Sequence, residues 1–296
     1  MRVAVLTSPQ SWYFRDLQRA AAARHELTAV AFSHLASALN VTTAFSASSK
    51  GQCLDQFDAV LVRTMPPGSL EQVVFRMNVL GELERRGQVV LNSPRSLEAA
   101  VDKYLASARF QAAGLSTPRT WVGQNAEDAM SAFAELGGDV VVKPLFGGEG
   151  RGISRVNDEA LALRAFKMLA QLGAVIYLQE FVPHEGRDLR LMVLGDRVLG
   201  MWRYNPRDWR TNISRGAIGE RWKYDETLAG MAVRAAQVIG AQWAGVDLLP
   251  GRDGKVYVLE VNAVPGWKGL ASVIQRDVAA LALEYLETLV RLNTGR

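Results

Sequence analysis

The chain has 296 residues, of which 49% are hydrophobic and 22% are charged, a composition typical of globular proteins. This length predicts two or three domains, and no apolar run approaches the roughly 18 residues that a membrane span requires. The formal net charge of +4 favours anionic ligands mildly, but no dense run of lysine and arginine predicts a nucleic-acid surface. The single cysteine, Cys53, excludes an intramolecular disulfide and is typical of a reducing compartment. We therefore expect a cytoplasmic protein with no nucleic-acid partner and no membrane segment.

Short β-rich runs alternate with helical stretches in residues 1–95, which predicts an open parallel α/β sheet with right-handed crossovers. The predicted strands are Arg2–Leu6, Leu27–Phe32, Asp58–Val62 and Gln88–Leu91, and the predicted helices are Trp12–Ala23 and Ser69–Arg86. The turn after the first strand lacks the glycines of a dinucleotide-binding fold, which argues against a nicotinamide enzyme. The segment Arg63–Ser69 leads from a strand end into a helix, where such sheets often bind ligands. It is either a ligand-binding loop or a plain connection, and the residue types favour neither.

A small central domain is predicted at residues 96–178, followed by a C-terminal domain at residues 179–296. A helix from Ser96 to about Ala113 would place Lys103 in its interior, where a solvated lysine is the default interpretation. Later in the central domain, a β-branched run ends at Lys143 and is followed by glycines at 147, 148, 150 and 152. Backbone N–H groups of such a loop can approach a phosphate closely. Without Gly-Lys-Ser/Thr at a helix start it is not a P-loop. It is a glycine-rich hairpin that could fold over phosphates as a flap, and a loop without a function is the default interpretation.

The stretch Gln179–Val182 ends a strand before Pro183 and could act as a nucleotide hinge, with backbone amides facing an adenine edge. The next two predicted strands form a hairpin around Gly195-Asp196. Four arginines follow in or beside a loop that contains Trp209, which we interpret as the lining of a small-anion pocket in preference to an RNA-binding surface. These arginines are Arg203, Arg207, Arg210 and Arg215.

Two apolar segments near the C terminus carry three oxygen-bearing side chains, Asp247, Glu260 and Asn262. Between them, Asp253-Gly254 is typical of a two-residue type I′ hairpin turn, which would place Asp247 directly opposite Glu260 with Asn262 on the same face. Two opposed carboxylates repel each other. Mg²⁺ would relieve the repulsion because it prefers carboxylate and amide oxygens. A solvated hairpin face is the alternative.

Seven separated motifs, in this order, resemble the ATP-grasp superfamily and, within it, the RimK-type amino-acid ligases. The motifs are Asp102-Lys103, Val142–Ile153, Gln179–Val182, Asp188–Arg190, Trp209–Gly216, Ala244–Asp247 and Glu260–Gly266. The resemblance implies a combined α/β and α+β architecture, in which an ATP-grasp fold follows an N-terminal open parallel α/β domain. It also implies ATP bound between the central and C-terminal subdomains, two Mg²⁺ ions for which Mn²⁺ could substitute, and a homodimer or homotetramer.

The resemblance further implies roles for individual residues. The implied nucleotide contacts are Lys103, Lys143, Gly148, Gly150, Gln179, Glu180, Phe181, Val182, Asp188, Arg210 and Asn212. The implied metal ligands are Asp247, Glu260 and Asn262, which agrees with the hairpin pairing. The implied catalytic residues are Lys143, Arg190 and Arg215, of which the two arginines face the acceptor carboxylate and the transferring phosphoryl group.

Ligases of this type phosphorylate a carboxylate to an acylphosphate and release ADP, after which an amine attacks the acyl carbon and expels phosphate. Such a transfer needs positioning and charge neutralisation rather than a protein nucleophile. No Ser-His-Asp or Cys-His arrangement is evident in the sequence, which is consistent with this chemistry.

The acceptor is indicated by the end of the last motif. Val264 stands where RimK ligases that modify ribosomal proteins usually have serine, and Asn262–Trp267 looks more like the glutamate ligases of tetrahydromethanopterin biosynthesis. We therefore expect L-glutamate to be added to a carboxylate of a pterin-type cofactor. Aromatic residues that could stack on a pterin, or alternatively belong to the core, are Trp202, Tyr204, Trp209 and Trp267. The alternatives are a ligase for a protein or peptide C terminus and a non-catalytic ATP-binding regulatory protein.

Overall fold

The computed structural model describes residues 1–41, 44–148 and 150–295; Glu149 of the predicted glycine-rich loop lies outside the described residues. The strands are β1 Arg2–Leu6, β2 Glu26–Val30, β3 Leu35–Ala38, β4 Ser46–Ser49, β5 Gln52–Cys53, β6 Ala59–Val62, β7 Val89–Leu91, β8 Thr120–Gly123, β9 Val140–Lys143, β10 Ser154–Val156, β11 Ile176–Glu180, β12 Arg187–Leu194, β13 Arg197–Tyr204, β14 Ile218–Arg221, β15 Trp243–Pro250 and β16 Val256–Asn262. The helices are α1 Trp12–Ala21, α2 Leu70–Arg85, α3 Pro94–Val101, α4 Lys103–Ala112, α5 Ala126–Glu135, α6 Glu159–Gln171, α7 Glu226–Ile239, α8 Lys268–Ile274 and α9 Val278–Thr294. Within these ranges, no helix combines the length and apolarity that crossing a membrane demands.

The N-terminal part is the open parallel sheet that the sequence predicts, with strand order β2-β1-β6-β7. Strand β6 is buried along its whole length and β1 from Val3 onward, because their apolar runs are covered on both faces. Helices α1 and α2 make the crossovers from β1 to β2 and from β6 to β7. A small antiparallel sheet of β3, β4 and β5 lies between β2 and β6 in sequence and was not predicted.

Two antiparallel sheets follow. The central sheet has the order β10-β9-β11-β8, and α5 and α6 pack together against it around Phe133 and Phe166. The C-terminal sheet has the order β14-β13-β12-β15-β16. Strand β11 belongs to the central sheet and runs to Glu180, two residues past the predicted boundary between residues 178 and 179, and the domain boundaries stay predictions.

The predicted single helix over residues 96–113 is wrong. Two helices, α3 and α4, meet at Asp102, whose extended backbone breaks the helix and whose carboxylate accepts a hydrogen bond from Leu105 N at 3.0 Å. Lys103 is therefore the first residue of a helix and does not lie in a helix interior. Leu97 and Phe110 from these helices pack into the core of the C-terminal sheet, although they precede the central sheet in sequence.

The hairpin of β15 and β16 has the predicted pairing but not the predicted turn. Asp247 lies opposite Glu260, as expected. The loop, however, has three residues, since Gly251 N donates to Lys255 O at 2.8 Å and Gly254 adopts a left-handed backbone with φ of 81°. The register then shifts by one residue next to Asp247, and this β-bulge restores the pairing that a two-residue turn would have given.

A buried asparagine joins the parallel sheet to the C-terminal sheet. Asn92 follows β7, and its Nδ2 donates to the carbonyl oxygens of Trp243 and Ala263, both at 2.6 Å. Its Oδ1 accepts from the backbone nitrogens of Gln242 at 2.9 Å and Trp243 at 3.0 Å. Because all of these polar groups are satisfied by one another, the two sheets are fixed at the start of β15 and the end of β16.

We predict that Asn92→Ala lowers the free energy of unfolding by about 3–5 kcal/mol, because it removes four hydrogen bonds and leaves buried backbone groups without partners. Urea-induced unfolding monitored by tryptophan fluorescence measures this change. Asn157→Ala at an exposed position is the control and should change the stability by less than about 0.5 kcal/mol. Similar stabilities for the two variants would contradict the proposed link between the sheets.

Candidate active site

A surface of charged side chains crosses the C-terminal sheet. Arg190 on β12 lies opposite Asp247 on β15, and Arg190 Nη1 donates to Asp247 Oδ1 at 2.7 Å. On the next strand of the hairpin, Glu260 lies opposite Asp247. Arg203 on β13 lies opposite Asp188 and donates to both of its carboxylate oxygens, at 2.8 and 2.5 Å. Arg203 Nη2 also lies 2.9 Å from Asp247 Oδ2, so these five side chains share one face.

Two arginines neutralise the two aspartates of this surface. Burial by itself would raise the pKa of Asp247, but Arg190 and Arg203 outweigh it and lower that pKa. Burial raises the pKa of Asp188 in spite of the pairing with Arg203. Against the effect of burial, Asp247 and Asp188 raise the pKa of Arg203. The aspartates and arginines are therefore held as one buried ionic network.

Glu260 is the carboxylate of this surface that has no hydrogen-bond partner among the described residues. Burial raises its pKa and Asp247 adds to the rise, whereas the positive charges of Lys103 and Lys143 oppose it. Burial also lowers the pKa of Lys143 to about 8 and that of Lys103 below its usual value. Lys143 Nζ donates to Gln179 Oε1 at 2.5 Å, which fixes its position. The positively charged side chains of Lys103 and Lys143 thus lie near Glu260, whose carboxylate is open to a ligand.

The glycine-rich loop between β9 and β10 is held closed by basic side chains from other elements. Lys103 Nζ donates to Gly147 O at 2.7 Å, and Arg215 Nη2 donates to Gly150 O at 2.9 Å. The loop is therefore positioned as the expected flap.

Gly150 is required for the close approach of this loop to the 210–216 segment. It has a φ of 70°, and a Cβ atom added to it would lie 2.5 Å from Asn212 Oδ1. Arg210 Nη1 donates to Ile153 O at 3.3 Å and makes a further link between the two loops. A larger residue at position 150 would separate the flap from the loop beneath it.

The segment after β11 forms the far end of the cleft. The Glu180 carboxylate accepts from Arg119 N and Nε at 2.8 and 2.6 Å, and Phe181 N donates to Asp139 O at 2.9 Å. Val182 is buried and lines the cleft, and no acceptor within the described residues takes up its N–H group. An open backbone donor at the end of an apolar cleft can bind a ring nitrogen of a ligand.

These elements together line a first cleft. The predicted site residues that line it are Lys143, Gly150, Gln179, Glu180, Phe181, Val182, Asp188, Arg210, Asn212, Asp247 and Glu260. A second cleft shares Glu260 and is lined by the predicted residues Lys103, Gly148 and Asn262. Arg190 and Arg215 line neither cleft, but each donates a hydrogen bond to a residue that lines the first cleft, Asp247 and Gly150 respectively. The structure thus gathers the predicted residues at two adjoining clefts, while their individual roles stay predictions.

The sequence interpretation placed Arg203 with three other arginines in the lining of a small-anion pocket, but it did not predict that Arg203 lines the first cleft and joins both buried aspartates. The signal was present in the predicted hairpin. With Gly195-Asp196 as the turn, Leu194 pairs with Arg197, and the same register places Arg203 opposite Asp188.

The chemistry of the hairpin fits a hard divalent cation. Each carboxylate oxygen of Asp247 accepts one hydrogen bond and keeps a free lone pair, and Glu260 is open. Asn262 Oδ1 accepts from Val264 N at 2.8 Å and also keeps a lone pair. Among residues 1–41, 44–148 and 150–295, no group of three or more His, Cys, Asp or Glu could hold a metal. Two carboxylates and an amide are therefore the donor set that this site can offer to Mg²⁺.

Comparison with known proteins identifies similar chains. The family described as RimK-like ATP-grasp domain matches residues 100–286. A tetrahydromethanopterin:alpha-L-glutamate ligase of Methanosarcina acetivorans is 32% identical over 266 residues, covering 80% of this chain and 82% of that protein. The structure of ATP-grasp ligase PsnB with a minimal precursor is 25% identical, with a TM-score of 0.76 and coverage of 97% and 98%. A second PsnB structure, with minimal precursor, Mg and ADP, has a TM-score of 0.75 at 23% identity, with 98% of each chain covered.

We predict that Arg203→Met lowers the free energy of unfolding by about 3–5 kcal/mol near neutral pH, because it leaves Asp188 and Asp247 buried with one cation fewer. The loss should shrink as the pH falls. The pKa of Asp188 is raised in the folded state, and a carboxyl of this kind favours folding when it is protonated. Urea unfolding at neutral and mildly acidic pH measures both effects.

Arg95→Met is the matched control, since Arg95 pairs with Glu98 at 3.0 Å but its side chain is 86% exposed. It should change the stability by less than about 0.5 kcal/mol at either pH. Equal losses in the two variants would show that the buried network contributes no more than a surface ion pair.

Proposed function

Because this chain belongs to the RimK-like ATP-grasp family, we propose that it is an ATP-dependent, ADP-forming ligase that joins L-glutamate to the carboxylate of a small-molecule acceptor. The observation that carries the proposal is the arrangement of Asp247 and Glu260 opposite Lys143 at the junction of two clefts. Such an arrangement suits the neutralisation of phosphate charge and offers no protein nucleophile for a covalent enzyme intermediate.

In this proposal, the adenine ring of ATP lies in the first cleft. Its edge meets the open N–H of Val182, and the apolar side chains of Val182 and Leu249 pack on the ring. The phosphates lie beneath the glycine-rich flap, where Lys143 and Lys103 supply positive charge. Since Lys143 keeps a pKa of about 8, it is mostly protonated at neutral pH and suited to bind an anion.

Asp247, Glu260 and Asn262 are the residues that would hold Mg²⁺, which when bound neutralises charge on the phosphate oxygens. The PsnB structure with Mg and ADP supports Mg²⁺ as the metal at the level of the fold. Two ions, with Mn²⁺ as a substitute, belong to the proposal.

The chain's own residues then serve to position the reacting groups. Arg215 contacts Gly150 of the flap, so it can stabilise the transferring phosphoryl group from above the cleft. Arg190 holds Asp247 and lies over Gly245, where a Cβ atom would be only 2.3 Å from its Nη2. From there Arg190 can orient a carboxylate of a substrate. The acceptor carboxylate attacks the γ-phosphorus to give an acylphosphate and ADP, and the glutamate amine then displaces phosphate at the acyl carbon.

The second cleft is proposed to take the acceptor. Next to Lys103, Glu260 and Asn262 it is lined mostly by apolar groups, among them Met65 and Leu97. This lining favours an acceptor with an apolar body and a terminal carboxylate, and the name of the Methanosarcina acetivorans relative supports a pterin-type cofactor.

Trp267 does not stack on a pterin, because its side chain is fully buried; of the two alternatives that the sequence left open, it is a core residue. Trp209 lines the nucleotide cleft instead of the acceptor cleft. Trp202 and Tyr204 are partly buried on β13, and a stacking role for them stays a prediction.

A peptide acceptor is the second candidate, because another PsnB structure, with a TM-score of 0.74, contains a precursor peptide. A non-catalytic ATP-binding role is less favoured, because the full set of Lys143, Asp247, Glu260 and Asn262 is present. The proposal retains a cytoplasmic location and a homodimer or homotetramer as expectations from the sequence.

We predict that the protein, incubated with ATP, Mg²⁺, L-glutamate and a tetrahydropterin acceptor that bears a carboxylate, releases ADP and phosphate in equal amounts. Mass spectrometry should find the acceptor heavier by one glutamyl unit. A mass gain on a peptide in place of the pterin would favour the second candidate. Formation of AMP and pyrophosphate would contradict the acylphosphate route, and ATP binding without ADP release would support the non-catalytic alternative.

We predict that Glu260→Gln lowers kcat by about a hundredfold or more, because the open carboxylate at the junction of the clefts is lost while the side-chain shape is kept. ADP release measures the rate, and urea unfolding should show an intact fold. Glu159→Gln, at an exposed helix start away from the clefts, is the control and should match the wild type. Wild-type turnover by Glu260→Gln would remove the hairpin from the mechanism.

A further inference from the structure

Arg63 is a buried cation whose role the mechanism above does not explain. It directly follows β6 in the segment whose role the sequence left open, and only 8% of it is exposed. Its Nη2 donates to Pro265 O at 2.6 Å. Its Nε and Nη1 are buried without a hydrogen-bond partner, and no carboxylate of the described residues contributes to its charge state.

Three aromatic rings surround the Arg63 guanidinium in place of a carboxylate. Its central carbon lies 4.6 Å from the ring centre of Trp243, 4.8 Å from that of Trp267 and 5.6 Å from that of Tyr13. The faces of these rings attract a cation. Burial lowers the pKa of Arg63 to about 9, so the side chain stays charged at neutral pH. A neutral side chain could donate to Pro265 without burying a charge, and burying a charge costs free energy. We therefore infer that the arginine has a specific role at this position.

The aromatic cluster and Arg63 hold the segment that follows the predicted metal ligands. In the middle of residues 263–267, Arg63 holds the Pro265 carbonyl. At the end, Trp267 Nε1 donates to Asp16 at 2.7 Å. Between them, a Cβ atom on Gly266 would lie 2.4 Å from the Tyr13 hydroxyl, so α1 packs directly on this backbone.

This segment also fixes two parts of the candidate active site. The Val264 N–H donates to Asn262 Oδ1 at 2.8 Å, so the orientation of the Asn262 carboxamide follows the backbone of the segment. Val264 itself lines the second cleft beside Asn262. A displacement of Pro265 would therefore change a predicted metal ligand and the wall of the acceptor cleft together.

We propose that Arg63 is a positioning residue that sets the backbone of residues 263–267, and through it the Asn262 carboxamide and the cleft wall at Val264. It acts through Pro265 and does not touch the substrates. The kinetic part of this inference rests on the proposed ligase function. The structural part does not, because the backbone of residues 263–267 can be monitored in the protein without substrates.

Arg63→Met tests the proposal, since methionine fills the aromatic cluster and removes both the charge and the donor. We expect kcat to fall by about tenfold or more, because small misplacements of reacting groups have large effects on rate. The KM for ATP should stay within about twofold, since the hinge at Glu180–Val182 belongs to a different sheet. Hydrogen–deuterium exchange of the peptide that contains residues 263–267 should become faster, while the hinge peptide is unchanged.

Arg76→Met is the matched control. Arg76 is also a buried arginine of the N-terminal part, with 6% exposed, and its Nη1 donates to the carbonyl of Pro66 at 2.9 Å with Phe32 nearby. Since Arg76 does not contact residues 263–267, its replacement should leave exchange in that peptide at the wild-type rate. If exchange in the peptide of residues 263–267 were as fast in Arg76→Met as in Arg63→Met, the specific role of Arg63 would be overturned.

Arg63→Lys keeps the cation in the aromatic cluster and covers the case in which Arg63→Met does not fold. Lysine is shorter and lacks the planar guanidinium, so we expect a folded protein with faster exchange at residues 263–267 and a kcat about threefold or more below the wild type. Wild-type exchange and kcat in this variant would overturn the proposal. If the wild type itself forms no glutamyl product, the proposed function fails, and the exchange data alone still decide the role of Arg63.

Discussion

The buried ionic network on the C-terminal sheet is the interaction on which the rest of the candidate site depends. Asp247 lies between Arg190 and Arg203, and Arg203 in turn is held by Asp188. Removing one partner of a buried ion pair is strongly destabilising, because it leaves a buried charge without compensation. Because the partners come from β12, β13 and β15, the network requires the full register of three strands. It leaves Glu260 as the carboxylate open to a ligand.

The site is completed by elements that are distant in sequence. The flap between β9 and β10 is held by Lys103 from α4 and Arg215 from the loop after β13. The N-terminal part of the chain also supports the site. Asn92 and Arg63 donate hydrogen bonds to carbonyl groups of the segment after Asn262. The parallel sheet is thus part of the support for the predicted metal ligands, and each cleft wall depends on contacts between different parts of the chain.

Patterns of neighbouring residues predicted the strands and motifs whose formation depends on those residues alone. Alternation and apolar runs gave the parallel strands, and the ordered motifs gave the family. The pairing of Asp247 with Glu260 was predicted from a two-residue turn and is correct, but two deviations that cancel produce it. A three-residue loop that ends at Gly254 shifts the register by one residue, and the bulge beside Asp247 shifts it back. The break at Asp102 was missed because a carboxylate that caps the next helix resembles an ordinary helix residue in sequence.

The sequence by itself determined the parallel sheet, the family and the set of residues proposed for ATP and Mg²⁺, because these follow from periodicity and from motifs a few residues long. Only the tertiary structure decided which cations pair with which carboxylates. Ion pairing depends on distances of a few ångströms between separate strands, which spacing along the chain does not fix. For the same reason, the packing of α3 and α4 on the C-terminal sheet and the burial of Arg63 among Tyr13, Trp243 and Trp267 were not predictable. Both arise where segments more than a hundred residues apart meet to exclude water.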